Sequence, residues 1–457
     1  MLNKVLVANR GEIAVRIVRA CRDLGIGSVV AYSEADRNTL AVRLADESIC
    51  IGPAAPSKSY LHPPALISAA LITGCDAVHP GYGFLSENPY FAEACAQCNL
   101  VFIGPEPEPI RLMGDKSIGR QTMNAAGVPT VPGSEGELSS IDEAISLARE
   151  IGYPVLLKPS AGGGGRGMRV ARDESELQRA YPTARAEAEG AFGRGDLILE
   201  KYLPSVRHVE IQVLADHHGN AIHLGERDCS SQRRHQKIIE EAPSPIVNAE
   251  LRAKMGEDAV RGIQAIGYRN AGTLEFLMDE QGNYYFIEMN TRIQVEHPVT
   301  ELITGIDLVK WQLLVASGER LTLEQKDVRI RGHAVECRIN AEDPERDFLP
   351  SVGEIELFVP PGGPGVRVDT HLYSGYKLPG SYDSLMAKII TWGDDRNEAL
   401  DRMRRALNEC ILEGSVKSTI PFQLALIDDP AFRSGNISIH YVGEFMQKWK
   451  EREAVVA

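Results

Sequence analysis

At 457 residues the chain is long enough for two or three domains, and a hydrophobic content of 43% supplies cores for them. Its 63 acidic and 49 basic residues give a formal charge of −14, which excludes a general nucleic-acid surface but leaves room for a local basic pocket. Apolar positions recur throughout, yet no apolar run approaches about 18 residues, so neither a disordered chain nor a membrane-spanning helix is expected.

The first strand starts at once, with Lys4-Val5-Leu6-Val7-Ala8, and no charged leader precedes it, which predicts a cytoplasmic protein. Asn9-Arg10-Gly11-Glu12 then leads into a helix carrying Ile13, Ile17, Val18 and Cys21, closed by Gly25, with a further strand predicted at Ser28 to Tyr32. This is the start of an α/β domain, although the G-x-G-x-x-G fingerprint of a dinucleotide fold is missing. After a strand ending at His79, the loop His79-Pro80-Gly81-Tyr82-Gly83-Phe84-Leu85-Ser86-Glu87 sets two glycines around an aromatic. That spacing suits either close approach to a planar ligand or a plain turn. A strand at Val101 to Gly104 precedes Pro105-Glu106-Pro107-Glu108-Pro109, whose prolines predict a first domain boundary. The eight cysteines are dispersed, and Cys95 with Cys98 forms a lone C-x-x-C that lacks the nearby ligands a zinc site needs.

The second segment begins at Lys116, near a helix start, where the ammonium either reaches a phosphate or sits in solvent. Gly127 to Pro132 reads as a linker. The strand Pro154 to Lys158 precedes Ala161-Gly162-Gly163-Gly164-Gly165-Arg166-Gly167-Met168. Adjacent glycines are costly to order, but their N–H groups can fold over phosphates. No Lys-Ser or Lys-Thr follows them, so this is no Walker A loop; Lys158 comes first, as in a glycine-rich hairpin lid returning at Val170-Ala171. Leu197 to Leu203 reads as a strand running into a hinge whose backbone can recognise adenine. In Val206 to Val213, alternation sets Arg207 and Val209 against His208 and Glu210. His208 is then either ordinary packing or part of a site. The polar run Glu226 to Lys237 is either a solvated face or an anion pocket.

Two strands carry the most specific chemistry. Gly272 to Leu277 and Tyr284 to Asn290 are joined by the turn Asp279-Glu280-Gln281-Gly282-Asn283, so antiparallel pairing brings Glu275 toward Glu288 and Asn290. These hard oxygen donors suit Mg²⁺ or Mn²⁺ shared with nucleotide phosphates. Arg292 and Glu296 follow closely, which makes Glu288 to Pro298 a metal–anion reaction centre rather than packed core. In the third segment Arg331 to Asn340 alternates, with Glu336, Arg338 and Asn340 on one face, turned to a pocket or to solvent. Ser384 to Thr391 is a strand, Arg396 to Cys410 a helix, and the polar end from Met446 is expected to fray.

Taken in order, Val5 to Ala14, His79 to Asn88, the glycine run, Glu226 to Ser230 and Glu288 to Pro298 resemble the biotin carboxylase family of ATP-grasp ligases over roughly residues 1 to 446. The resemblance implies an α/β and α+β multidomain chain. Its parts are a Rossmann-like pre-ATP-grasp domain at 1–115, an ATP-grasp domain at 116–317 with a lid at about 131–203, a C-terminal domain with a mixed β-sheet at 318–446, and a tail at 447–457. It also implies ATP as substrate, two Mg²⁺ or Mn²⁺ ions, bicarbonate, and biotin as acceptor on a carrier protein. By resemblance, Lys116 and Lys158 contact ATP phosphates, Gly164 and Gly165 cover them, and Glu200, Lys201, Tyr202 and Leu203 form the adenine hinge. His208 and His235 belong to the nucleotide site. Glu275 and Glu288 serve ATP and, with Asn290, the metal. Lys237, Arg292, Gln294, Val295 and Glu296 form the bicarbonate pocket, with Glu296 as base. Arg338, Tyr82 and Gly83 belong to the biotin pocket, and Arg292, Arg338 and Lys237 join Glu296 in catalysis. Pro159 and Ala161 depart from the commoner lid sequence without removing a reactive group.

No Met-Lys-Met biotin-attachment motif is found, so a separate subunit is expected, working with a biotin carboxyl carrier protein and carboxyltransferase subunits, as a homodimer, with no nucleic acid and no membrane. Acetyl-CoA carboxylation for malonyl-CoA and fatty acid synthesis is the first choice. A propionyl-CoA or pyruvate carboxylase is the alternative within the class. Another ATP-grasp ligase and a non-catalytic nucleotide-binding regulator are the alternatives outside it.

Overall fold

The computed structural model describes residues 1–160 and 167–456. Gly164 and Gly165 of the expected lid lie outside the described residues. The N-terminal part is a five-stranded parallel sheet in the order Glu47–Gly52, Gly27–Ser33, Lys4–Val7, Ala77–His79, Val101–Phe102. Parallel strands are covered on both faces, and the central one reads accordingly: Val5, Leu6 and Val7 are all fully buried. Val5 and Val7 pack toward Ile13 and Ile17 of the crossover helix Gly11–Asp23, while Leu6 packs toward Tyr60, Leu66 and Phe91. At the carboxyl ends of these strands, Asn9 Nδ2 donates to the carbonyls of Pro80 (2.6 Å) and Tyr82 (2.8 Å), tying two loops into one rim. The prolines after Gly104 break no helix. Pro107 and Pro109 lie in the first turn of the helix Pro107–Gly114, where a missing N–H leaves no helical bond unmade.

The strand Val155–Pro159 pairs with Arg169–Ala171 and Leu197–Lys201, backed by the helices Ile141–Ile151 and Glu174–Phe192. This unit keeps its own core, including Leu157, Leu177, Ala184 and Leu199.

The largest sheet has eight strands, in the order Tyr284–Asn290, Asn270–Asp279, Val206–Ala215, Ala221–Arg233, Gln236–Ala242, His333–Asn340, Leu385–Gly393, Val366–Thr370. It crosses the expected division at 317/318 without a break, because Gln236–Ala242 pairs with His333–Asn340 and sets Glu240 opposite Glu336. The C-terminal sheet, expected to be mixed, is antiparallel in every pair, as is the smaller sheet of Tyr376–Leu378, Gly353–Val359 and Ile411–Gly414. The run Glu226 to Lys237 proves to be two strands and their turn, where Arg234 and His235 take φ of 49° and 67°. It is largely buried, not solvated, since its charges find partners: Arg252 to Glu226 at 2.6 Å, Arg207 to Asp228 at 3.0 Å. The chain end does not fray at Met446. Tyr441–Val456 is a helix whose Phe445 and Trp449 pack on Phe422. The apolar spacing starts at Tyr441, so a reading begun at Met446 cuts it in two. Among the described residues no helix is long and apolar enough to cross a membrane.

One buried acid joins the sheet to the helix Arg396–Glu409. Burial would raise the pKa of Glu241, but His333 Nε2 at 2.8 Å and Arg396 Nε at 2.6 Å outweigh it and bring it from 4.5 down to about 2. A depressed carboxylate pKa adds stability that is complete above its unfolded value and fades as pH falls toward the folded one, here about 3 kcal/mol in all. Glu241→Gln should therefore lower the melting temperature clearly at pH near 7 and progressively less toward pH 3. A melting gap independent of pH would contradict this.

Candidate active site

The N-terminal rim, the small three-stranded sheet and one face of the eight-stranded sheet enclose a cavity of about 1190 Å³. Every described residue singled out above as a site residue lines it.

On the side of the small sheet, Lys158 pairs with Glu200. The hinge follows: the amides of Lys201 and Tyr202 donate to the carbonyls of Pro132 (2.8 Å) and Pro154 (3.0 Å), which holds this stretch across the cavity wall. The Lys201 ammonium turns away to the carbonyls of Gly152 and Tyr153, at 2.9 and 3.0 Å, leaving Lys158 as the hinge-side cation aimed inward. Lys116 opens the helix Lys116–Ala125, capped by Asp115, and its Nζ lies 3.4 Å from Glu288. Leu203 and His235 complete this end.

The paired strands place the acids as their alternation predicts. Glu275 stands opposite Glu288, Asn290 opposite Thr273, and Met289 points the other way into the core. The Glu275 carboxylate is buried among Lys237 (3.1 Å), His208 (2.9 Å), Asn290 Nδ2 (2.9 Å) and Gln294 Nε2 (2.8 Å). Burial works against its charge, but Lys237 and His208 hold its pKa well below the usual range, and it in turn raises that of His208 against the same burial. The donors that fit a divalent ion here are hard oxygens: ionised Glu275, half-exposed Glu288, and Asn290 Oδ1. Glu210 is also close to His208 and Glu275. Its charge is already matched by Arg227 at 2.5 Å and Lys237 at 2.6 Å.

The anion end follows the second of these strands. Glu296 is 2% exposed, with Lys237 Nζ at 2.5 Å on one oxygen and Arg338 Nη2 at 2.9 Å on the other. Burial alone would raise its pKa, but Lys237, Arg338 and Arg227 hold it far below the carboxylate range. Arg292 leans across to the N-terminal rim, giving Nε to Glu87 at 2.9 Å and Nη2 to Asn290 at 2.6 Å. The Gln294 amide is committed at both ends, to Glu275 and to Arg227 Nη2 (2.5 Å), so its side chain braces the pocket. Tyr82 gives its hydroxyl to Glu12, and Gly83, at φ 67°, makes the turn beside it.

Several residues of this machinery escaped the sequence reading. Arg227 is fully buried and reaches five acceptors: Glu210, Gln212, Thr300, Thr273 and Gln294. Glu240 takes Arg338 Nε at 2.6 Å, and burial with the nearby Glu296 charge raises its pKa to about 7 against the pull of Arg338. Glu336, directly opposite, has neither carboxyl oxygen hydrogen-bonded among the described residues, and burial pushes its pKa up. Glu210 and Glu336 had a signal, since they share the strand faces of His208 and of Arg338.

Residues 1–110 match the family model of the biotin carboxylase N-terminal domain, 115–324 the ATP-binding domain of the carbamoyl-phosphate synthase L chain, and 336–444 the biotin carboxylase C-terminal domain. The chain is 56% identical to a biotin carboxylase of a Nostoc species over 442 residues, 97% of this chain and 99% of that protein. It is 55% identical to a pyruvate carboxylase subunit of Methanothermobacter thermautotrophicus over 445 residues, 97% and 90% of the two chains. A solved biotin carboxylase domain dimer of Hydrogenobacter thermophilus 2-oxoglutarate carboxylase, in complex with MgADP, ADP and bicarbonate, superimposes with a TM-score of 0.90 at 53% identity, over 97% of this chain and 98% of the other.

Proposed function

The chain belongs to the biotin carboxylase family and is an ATP-dependent ligase; on that premise we propose that it uses ATP and bicarbonate to carboxylate N1′ of biotin borne on a carrier protein. The observation that carries the proposal is Glu296, held between Lys237 at 2.5 Å and Arg338 at 2.9 Å, where the metal donors and the Tyr82 rim meet in one cavity.

The charges explain how the steps proceed. Glu296 is ionised at neutral pH, so it can take a proton, but two cations make it a weak base. Bicarbonate entering the pocket competes for Lys237, and as that cation turns to the new anion, Glu296 becomes more basic. The deprotonated oxygen attacks the γ-phosphorus of ATP, ADP leaves, and carboxyphosphate forms. Lys116 and Lys158 hold the phosphates in line. A divalent ion bound by Glu275, Glu288 and Asn290 would supply neutralisation of phosphate charge. Carboxyphosphate then breaks to CO₂ and phosphate. Phosphate accepts the N1′ proton, the nitrogen attacks CO₂, and Arg338 stabilises charge on the ureido oxygen.

Delivery to acetyl-CoA, for malonyl-CoA and fatty acids, is the first reading of the later half-reaction. The relatives named for pyruvate and 2-oxoglutarate carboxylases favour a second, in which the final acceptor is a 2-oxo acid. Both share the half-reaction proposed for this chain. Its test is ADP formation with Mg²⁺, with and without bicarbonate. Turnover should need both, and ATP cleavage indifferent to bicarbonate would overturn the proposal.

A further inference from the structure

Lys388 lies on the strand Leu385–Gly393, far in sequence from every residue given a role above, and its side chain is wholly buried. The sheet register sets it directly opposite Arg338 on one side and Asp369 on the other. Two cations facing each other across strands repel unless something holds them there. The Lys388 ammonium points to the carbonyl of Val295 at 2.8 Å, with Glu12 at 3.2 Å and Asp369 at 4.0 Å. Glu12 in turn accepts the Tyr82 hydroxyl. Four separate pieces of chain therefore meet at one nitrogen: the first helix of the N-terminal sheet, the Tyr82 loop through Glu12, the segment carrying Val295 and Glu296, and the C-terminal strand.

We propose that Lys388 is a positioning residue, which fastens the Val295 carbonyl, and with it the adjoining Glu296, to the Glu12–Tyr82 pair of the N-terminal rim. The proposal rests on the functional reading above and deepens it: the base would be held in register with the rim that borders the acceptor pocket. Burial works against the ammonium charge, but Glu12, Glu336 and Asp369 keep it protonated. Burial also pushes the Glu12 carboxyl up, against Lys388, so the Val295 carbonyl is both the nearest and the more constant acceptor. Without this bond the carbonyl loses its charged donor, and the Val295–Glu296 peptide is free to shift relative to Lys237. Displacements of about 1 Å beside reacting groups can cost on the order of 10²-fold in rate.

Lys388→Met alone strands a buried Glu12 carboxylate and confounds stability with catalysis. The informative variant is Lys388→Met with Glu12→Gln, which removes both charges and keeps an acceptor for Tyr82. Wild type and double variant are compared by melting temperature and by steady-state kcat and KM for bicarbonate and for ATP. The expected result is a melting temperature close to wild type, a kcat/KM for bicarbonate lowered about tenfold or more, and an unchanged KM for ATP. An unchanged kcat/KM for bicarbonate in folded double variant overturns the proposal. So does a double variant that fails to fold, because the group would then serve the fold alone. Absence of bicarbonate-dependent turnover in the wild type would instead strike the functional reading itself.

Discussion

Glu296→Gln should lower bicarbonate-dependent ATP cleavage about 10³-fold while leaving ATP affinity close to wild type. General-base contributions run at about 10²–10⁴-fold, and this carboxylate is the acceptor held between Lys237 and Arg338. The change keeps shape and removes only charge. Lys237 retains Glu210 at 2.6 Å and Glu275 at 3.1 Å, and Arg338 retains Glu240 at 2.6 Å, so no cation is left buried alone. Lys116, Lys158 and the hinge make none of their contacts with Glu296. Nucleotide titration followed by fluorescence, beside turnover, separates binding from chemistry. Turnover within a few-fold of wild type would remove Glu296 from the role of base.

Arg338→Gln should divide the two halves of the reaction. Transfer to biotin is expected to fall by about 10²–10³-fold, the scale of losing one donor to a developing oxyanion. Bicarbonate-dependent ATP cleavage without biotin should fall far less, because Glu296 keeps Lys237. The Glu240 carboxyl, already raised to about 7, can take up a proton when its arginine goes, which spares the fold an unpaired buried charge. Equal losses in both activities would mean that Arg338 serves only to hold Glu296.

What the sequence made legible follows from the range of each interaction. Glu275, Glu288 and Asn290 could be placed from alternation and one turn, because a hairpin converts spacing into register directly. The glycine-punctuated Tyr82 loop and the Leu197 to Leu203 hinge were likewise local patterns, and both reached the cavity wall. Arg227 was harder. Its sequence neighbours are polar, which reads as surface; the pairing of its strand with Val206–Ala215 brings two of its five acceptors, Glu210 and Gln212, and Thr273, Gln294 and Thr300 come from elements further along the chain. Alternation puts Glu336 on the face of Arg338, but Glu240 meets it through a strand pair between segments far apart in sequence, so no local period could announce Glu240. Lys388 is the extreme case, since it meets Val295 across 93 residues and Glu12 across the whole fold. The roles of bicarbonate and biotin came from family resemblance, because a buried carboxylate between two cations does not by itself name the anion it serves.

The most direct test of the account follows labelled carbon. The protein is incubated with ATP, Mg²⁺, isotopically labelled bicarbonate and free biotin, and the product is assayed for acid-labile label attached to biotin. Labelled carboxybiotin should form in step with ADP, dependent on ATP and on Arg338. ADP released at full rate with bicarbonate present, but with no label on biotin under any concentration tried, would contradict it.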